Sequence, residues 1–158
     1  RLFYTIIPDK SFYIGSQQGY PAMDYDRLQA ILGQSVNRAR YISILDDLSL
    51  DCYFRTDIHW KQESLGRVIE RLGSQLGFTA DAVFTEASLY PFYGGYYGQS
   101  ALNIAPDRLT YLEHDMIRQA TAVDLVKKDP LEIYDLEQFK GMDPYSFFLE
   151  GQIGRAHV

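Results

Sequence analysis

The chain of 158 residues contains one cysteine, one tryptophan and three histidines. A single cysteine excludes an internal disulfide and a metal site built from several thiolates. Cys52 is expected to be a small buried side chain, because no neighbouring residue supports it as a nucleophile. Among the few histidines, His59 stands where an extended apolar stretch gives way to a helix-like pattern, which makes it the imidazole of most interest.

Basic residues are also few, since 15 Lys and Arg against 21 Asp and Glu give a net charge of −6 at pH 7. Nucleic-acid binding needs a basic patch, so this balance argues against a nucleic-acid partner. No stretch has the length and apolar character of a signal peptide or a membrane span. The composition, 46% hydrophobic and 23% charged, is that of a globular chain able to bury the core of one domain.

Aromatic residues are abundant by contrast, at 15% of the chain with 13 Tyr and 9 Phe. Residues 90–98 form an aromatic and glycine-rich segment without a clear period, which predicts a loop. Two interpretations of this loop stay open. Its tyrosines, Tyr93 among them, either stack on sugar rings or anchor the loop on the rest of the protein.

The first 45 residues predict a strand, a helix and a second strand. Leu2–Ile7 and Tyr41–Leu45 are β-branched and aromatic runs typical of buried strands, and residues 15–21 read as a loop. Asp24 is a candidate N-cap for the helix between the strands. The apolar residues of that helix recur at helical spacing: Leu28, Ile31, Leu32 and Val36. This order is the signature of a parallel sheet with helices packed on it.

Later segments predict one more helix and several short strands. An apolar stripe runs along Gln62–Leu76, and Gly77 is a plausible end for that helix, with Gly73 as the alternative. Three short strand candidates follow: Arg108–Glu113, Ala120–Leu125 and Leu131–Leu136. Asp129-Pro130 separates the last two, which indicates a hairpin.

The segment Tyr53–Trp60 carries the most interesting chemistry. In an extended chain, Asp57 and His59 project to the same side, so the acid can orient an imidazole that acts as a general base. The alternative is structural: Thr56 or Asp57 caps the following helix, and His59 lies on the surface near its first turn. Asp57-Ile58-His59 alone does not decide between the catalytic and the structural interpretation.

Tyr53–Trp60, with Gly66 six residues later, resembles the defining segment of the DHHW family, which is named for Asp-His-His-Trp. That family is related to the SGNH-hydrolase-like proteins that acetylate bacterial exopolysaccharides such as alginate. Further matching segments occur in the family's order: Ile6–Asp9, Phe92–Tyr97, Ala105–Leu109 and Tyr145–Gly151. The first His of the family motif is Ile58 here, and Glu150 stands where the family favours glycine.

The resemblance implies an SGNH-hydrolase-like α/β fold, a three-layer sandwich with a mostly parallel sheet that is incomplete in this chain. It implies that Asp57 orients His59, that His59 is the base, and that Trp60 supports the pocket. The nucleophilic serine is expected after Gly151. Arg55 is a candidate contact for an anion or a carboxylate through its planar guanidinium, and it can equally be a surface residue or a partner of Asp57. No cofactor is implied.

The function expected from the resemblance is that of an extracytoplasmic esterase or O-acyltransferase of the cell envelope. Its substrates would be a polysaccharide or an acyl ester, and membrane acyl-transfer machinery would be its partner. Two rivals stay open: a non-catalytic envelope module that binds glycan or protein, and a cytosolic α/β domain of unrelated role. Residues 1–151 are expected to be a partial domain, and residues 152–158 resemble a translated sequencing adapter, a non-native tail.

Overall fold

The computed structural model describes residues 1–100, 103–124 and 127–151. The chain forms two compact units. The first unit contains Arg1–Phe54 and Ile58–Asp81, and the second contains Arg55–Asp57 with the described residues from Ala82 onward. The predicted tail, residues 152–158, and the predicted strand residue Leu125 lie outside the described residues.

The first unit has the predicted strand–helix–strand order. Strand β1 (Leu2–Tyr4) pairs in parallel with β2 (Ala39–Tyr41), and helices α1 (Ser11–Gln18) and α2 (Tyr25–Ser35) lie between them in the chain. Both strands are shorter than predicted, and β2 shares only Tyr41 with the strand predicted at Tyr41–Leu45, so the rest of that prediction was wrong. Leu2 is 61% exposed, so the prediction that β1 is buried was wrong for its first residue.

Helix α1 was missed because its glycines were interpreted as turn residues. A side chain at Gly15 would place a Cβ only 2.5 Å from the Cβ of Ala22, so this glycine permits close packing inside a helix. Gly19 does adopt the turn conformation, with a φ of 71°, and it ends α1. The predicted loop over residues 15–21 is therefore helical as far as Gln18.

The other two predicted helix ends are confirmed. The Asp24 carboxylate accepts a hydrogen bond from the Arg27 amide at 2.9 Å, which caps α2. Helix α3 spans Gly66–Leu76 and ends at Gly77, whose φ is 84°. A short 3₁₀ turn at Gln62–Ser64 precedes α3, so the segment predicted as one helix from Gln62 has two parts.

The core of the first unit forms where the apolar stripe of α3 meets the chain after β2. Val68 of α3 packs with Ile44 and Leu48, and all three are buried. Partly buried side chains surround this cluster: Tyr13, Cys52, Trp60, Leu65 and Leu72. Their apolar area removed from water is what holds these short elements together.

The second unit is built on antiparallel pairs. Strand β3 (Thr85–Phe92) pairs with β4 (Asp107–Glu113), which confirms the strand predicted at residues 108–113. The predicted hairpin is also present, as β5 (Ala122–Val123) paired with β6 (Pro130–Leu131), but its strands are only two residues long. Short helices α4 (Gly95–Ser100) and α5 (Asp115–Gln119) follow β3 and β4 respectively.

Aromatic rings fill the core of the second unit. Phe147 is completely buried and stacks on Tyr134 with a centroid distance of 5.2 Å and an interplanar angle of 5°. Tyr111 of β4 contacts both rings at centroid distances of 5.0 Å. The Tyr134 hydroxyl donates to the Leu112 carbonyl at 2.8 Å, so the cluster has a polar anchor on β4.

The mixed α/β character expected from the sequence is confirmed. Among the described residues, parallel pairing is limited to β1 with β2, and the other two sheets are antiparallel pairs. The mostly parallel sheet of the expectation is thus not seen in this part of the chain. A parallel sheet grows by adding crossover units, and the residues after β2 form 3₁₀ turns and α3 instead.

Gly77 and Gly33 offer a matched test of the helix ends in the first unit. A Cβ would meet no atom within 4 Å at either position, but only Gly77 has a left-handed φ, of 84°. Gly77→Ala is expected to lower the free energy of unfolding by about 1 kcal/mol through backbone strain. Gly33→Ala, inside α2, is expected to raise it by roughly 0.5–1 kcal/mol. Urea unfolding measures both, and changes of equal sign would contradict this account.

Candidate functional site

Residues 55–59 form an irregular bend instead of the extended chain that the sequence suggested. Tyr53 and Trp60 form an antiparallel bridge, and the Phe54 amide donates to the His59 carbonyl at 3.2 Å. The chain therefore reverses between these residues, and the argument that alternate side chains share one side does not apply to it. The prediction that this segment is extended was wrong, because the bridge between Tyr53 and Trp60 requires the chain to turn back between them.

Thr56 is the centre of a buried polar network in the second unit. Its amide and its hydroxyl both donate to Oδ2 of Asp107, at 2.7 and 2.8 Å. The same hydroxyl oxygen accepts from the Gly94 amide at 3.0 Å. Thr56 is fully buried and Asp107 is 8% exposed, so these bonds satisfy groups that would be costly to bury alone.

Arg55 extends this network towards solvent. Its Nε lies 3.6 Å from Oδ1 of Asp107, and its Nη2 donates to the Ala105 carbonyl at 3.3 Å. The guanidinium pairs with the carboxylate of Asp107, the first residue of β4, while 67% of the arginine side chain remains exposed. Of the alternatives open from the sequence, this placement corresponds to a surface arginine with a carboxylate partner, Asp107.

Asp57 is buried against the glycines that follow β3. It is 3% exposed, and its Oδ2 accepts from the Gly95 amide at 2.8 Å. A side chain at Gly94 would bring a Cβ within 2.6 Å of both Asp57 Oδ2 and the Thr56 carbonyl oxygen, so only glycine fits there. Asp57 precedes α3 by nine residues and does not cap it, which removes the helix-entrance interpretation.

Besides burial, the negative charge of Asp57 contributes to a raised pKa of Tyr145, a buried tyrosine of the same unit. Burial, followed by the negative charges of Asp57 and Asp143, raises the pKa of Tyr145 well above its ordinary value. Tyr145 is 6% exposed. The surroundings of Asp57 are therefore acidic and largely closed to water, and Tyr145 stays protonated there as a hydrogen-bond donor.

His59 and Trp60 belong to the first unit. Both are partly buried, and Trp60 packs against the cluster of Ile44, Leu48 and Val68. The indole thus fixes the end of the bend to the core of that unit. Ile58, which replaces the first histidine of the motif, is 55% exposed.

An open cleft of about 290 Å³ lies in the second unit, and we call it the tyrosine cleft. The rings of Tyr93 and Tyr97 contact each other there with centroids 4.5 Å apart and a tilt of 48°. The complete lining is Tyr93, Gly94, Gly95, Tyr97, Gly98, Met142, Asp143 and Pro144. Two of these residues, Gly94 and Gly95, are the ones that pack against Asp57.

Other sequence candidates have structural explanations. His114 Nδ1 accepts from the Met116 amide at 3.1 Å and so caps α5. Within residues 1–100, 103–124 and 127–151, no three His, Cys, Asp or Glu residues are grouped as metal ligands would be. Glu150 has a left-handed φ of 50°, which gives a backbone reason why glycine suits that position.

Sequence reasoning missed Thr56 and Asp107 as the residues that hold the site. In the sequence, Thr56 has only the features of a helix cap, and Asp107 belongs only to a segment that matches the family. The available signal was Asp107 itself, an acid placed between Pro106 and an apolar strand pattern, where a buried carboxylate needs partners. Nothing in the sequence indicates that those partners are 51 residues away.

Thr56→Val tests the network, because valine has nearly the same shape and no hydroxyl. The change leaves Asp107 with one donor fewer and removes the acceptor of the Gly94 amide, so the free energy of unfolding is expected to fall by about 2–3 kcal/mol. The control is Thr85→Val at an exposed position of β3, expected to change it by less than about 0.5 kcal/mol. Denaturant unfolding that gives equal effects would show that the network contributes no stability.

Comparison with known proteins supports the fold. No protein-family model and no curated protein matches the chain. The crystal structure of a DHHW family protein from Eubacterium siraeum DSM 15702 matches it with a TM-score of 0.66 and 19% sequence identity. The match covers 96% of this chain and 55% of that protein, so the chain spans about half the length of the protein it resembles. Over nearly its whole length, this chain shares the fold of a DHHW family protein.

Proposed function

We propose that the chain is part of a DHHW-type, SGNH-hydrolase-like domain whose complete form is an esterase or an O-acyltransferase. The observation that carries the proposal is the buried Asp57 carboxylate, held at 2.8 Å by the Gly95 amide and placed two residues before His59. A carboxylate that orients a catalytic histidine has to be fixed in this way. The fold shared with a DHHW family protein supports the same assignment.

In the proposed mechanism, a serine beyond Gly151 is the nucleophile and His59 is its base. His59 removes the hydroxyl proton as the serine oxygen bonds to the acyl carbon, and it returns that proton to the leaving oxygen when the acyl–enzyme forms. A polysaccharide hydroxyl, or water in the esterase case, then attacks the acyl–enzyme and gives its proton to His59; the bond between the serine oxygen and the acyl carbon breaks, and His59 returns the proton to the serine oxygen. Asp57 holds the imidazole and stabilises its charged form, and backbone amides stabilise the oxyanion.

The complete domain would be the three-layer sandwich of the SGNH-like fold, to which β1 and β2 contribute parallel strands. It would act outside the cytoplasm on cell-envelope or secreted polysaccharide and receive acyl groups from membrane machinery. In the part of the chain that the structure describes, no helix is long and apolar enough to cross a membrane.

A second candidate function is a non-catalytic module that binds glycan with the same fold. The observation that favours it is the tyrosine cleft, whose exposed rings can bind a sugar without any chemistry. The replacement of the first motif histidine by Ile58 also favours it. The two candidates differ in one measurable property, which is turnover of an acyl ester.

Turnover by the full-length protein decides between them. With an activated acyl ester as substrate, His59→Ala and Asp57→Asn are each expected to lower kcat by at least about a thousandfold, because a triad without its base or its orienting acid loses about that much. Ile58→Ala is the matched control, since it alters the exposed residue between them and is expected to leave turnover unchanged. Equal turnover in wild type and His59→Ala would refute the catalytic assignment.

A further inference from the structure

The tyrosine cleft, at the end of β3 and the start of α4, combines a partly exposed pair of aromatic rings with a cavity of small-ligand size. Tyr93 is 39% exposed although it lies against the ring of Tyr97. At a tilt of 48° the two rings cover each other only in part, so aromatic surface remains for another molecule. The cleft volume of about 290 Å³ is near the lower end of the range for small-ligand sites, roughly 300–1,000 Å³.

The lining of the cleft also contains a polar group, the Asp143 carboxylate, which is held in place by hydrogen bonds. Asp143 Oδ1 accepts from the Tyr145 amide at 3.2 Å, and its Oδ2 accepts from the Ser146 hydroxyl at 3.2 Å. These bonds hold the carboxylate in one orientation. Each carboxylate oxygen can accept about two hydrogen bonds, so Asp143 retains capacity for a hydroxyl group of a ligand.

The charges of the cleft are of one sign. Its lining contains no Lys or Arg, and its one ionisable acid is Asp143. The buried carboxylate of Asp57 lies against Gly94 and Gly95 of the same lining. A ligand that carries its own carboxylate would therefore meet the negative charge of Asp143 and no lysine or arginine of the lining. An uncharged ligand with many hydroxyl groups meets no such repulsion.

We propose that the tyrosine cleft binds an uncharged pyranose ring of a polysaccharide and selects against uronate rings. The apolar C–H face of the sugar lies on Tyr93 and Tyr97, and its hydroxyls donate to Asp143. Because the cleft adjoins Asp57, this inference deepens the proposed function by naming the class of polysaccharide that would accept the acyl group. Sugar binding does not depend on the proposed function, but the role of the bound sugar as an acceptor rests on it.

Binding is tested by titrating the protein with chito-oligosaccharides, cello-oligosaccharides and oligomannuronates in an NMR or calorimetric experiment. At least one uncharged series is expected to bind and the oligomannuronates to bind at least about tenfold more weakly. Tyr97→Ala is expected to weaken binding about tenfold or more through loss of the ring face, while Tyr97→Phe keeps the face and binds within about threefold of wild type.

A second pair of variants keeps the test valid if Tyr97→Ala fails to fold. A Cβ at Gly98, in the lining, and at Gly33, in α2 of the first unit, meets no atom within 4 Å. Gly98→Leu adds a side chain to the cleft and is expected to weaken sugar binding at least about tenfold, while Gly33→Leu binds as wild type. Binding retained in Gly98→Leu, no binding by either uncharged series, or equal binding of oligomannuronate would overturn the proposal.

The same titration on His59→Ala separates this inference from the proposed function. Sugar binding is expected to be unchanged in that variant, since the cleft contains none of its atoms. Absent turnover by the wild-type full-length protein, with its sugar binding intact, refutes the enzyme and supports the cleft. Turnover by the full-length protein without binding in the cleft supports the enzyme and overturns the cleft.

Discussion

The carboxylate of Asp107 is the contact on which the arrangement around Asp57 depends. It accepts both the amide and the hydroxyl of Thr56 and pairs with Arg55, and it thereby joins an irregular segment to the first residue of β4. A buried carboxylate without such donors would be strongly unfavourable, so its burial and the position of residues 55–57 are formed together. Through the Thr56 hydroxyl, the network also fixes the chain at Gly94.

A tightly held acid and a partly exposed aromatic surface meet at the same glycines of the second unit. Asp57 has little freedom, because the Gly95 amide binds it and Gly94 packs closely against it. The rings of Tyr93 and Tyr97 are on the same short segment but partly exposed to solvent. The backbone that holds the carboxylate is therefore also the backbone that presents the rings, and the two proposals can be measured separately although they share it.

Features of the fold that depend on neighbouring residues were predictable from the sequence, and features that depend on residues far apart in the chain were not. Asp24 and Gly77 act on their own helices, so capping and left-handed backbone rules place both ends correctly. Helix α1 and strand β3 were missed, because Gly15 serves close packing and the residues of β3 depend on pairing with β4. Asp57 was identified by its neighbours in sequence, but its burial depends on Gly94 and Gly95, which no local pattern connects to it.

The lack of space at Gly94 has a consequence for how this region can change. Any side chain at residue 94 would occupy the volume of the Asp57 carboxylate and of the Thr56 carbonyl oxygen. Two of the atoms that such a side chain would meet, the Cβ of residue 57 and the carbonyl oxygen of Thr56, remain in place whatever side chain larger than glycine's stands at 57. Glycine at 94 is therefore required by the path of the backbone at residues 56 and 57, and a relative that keeps this path should keep the glycine even where the acid has been replaced.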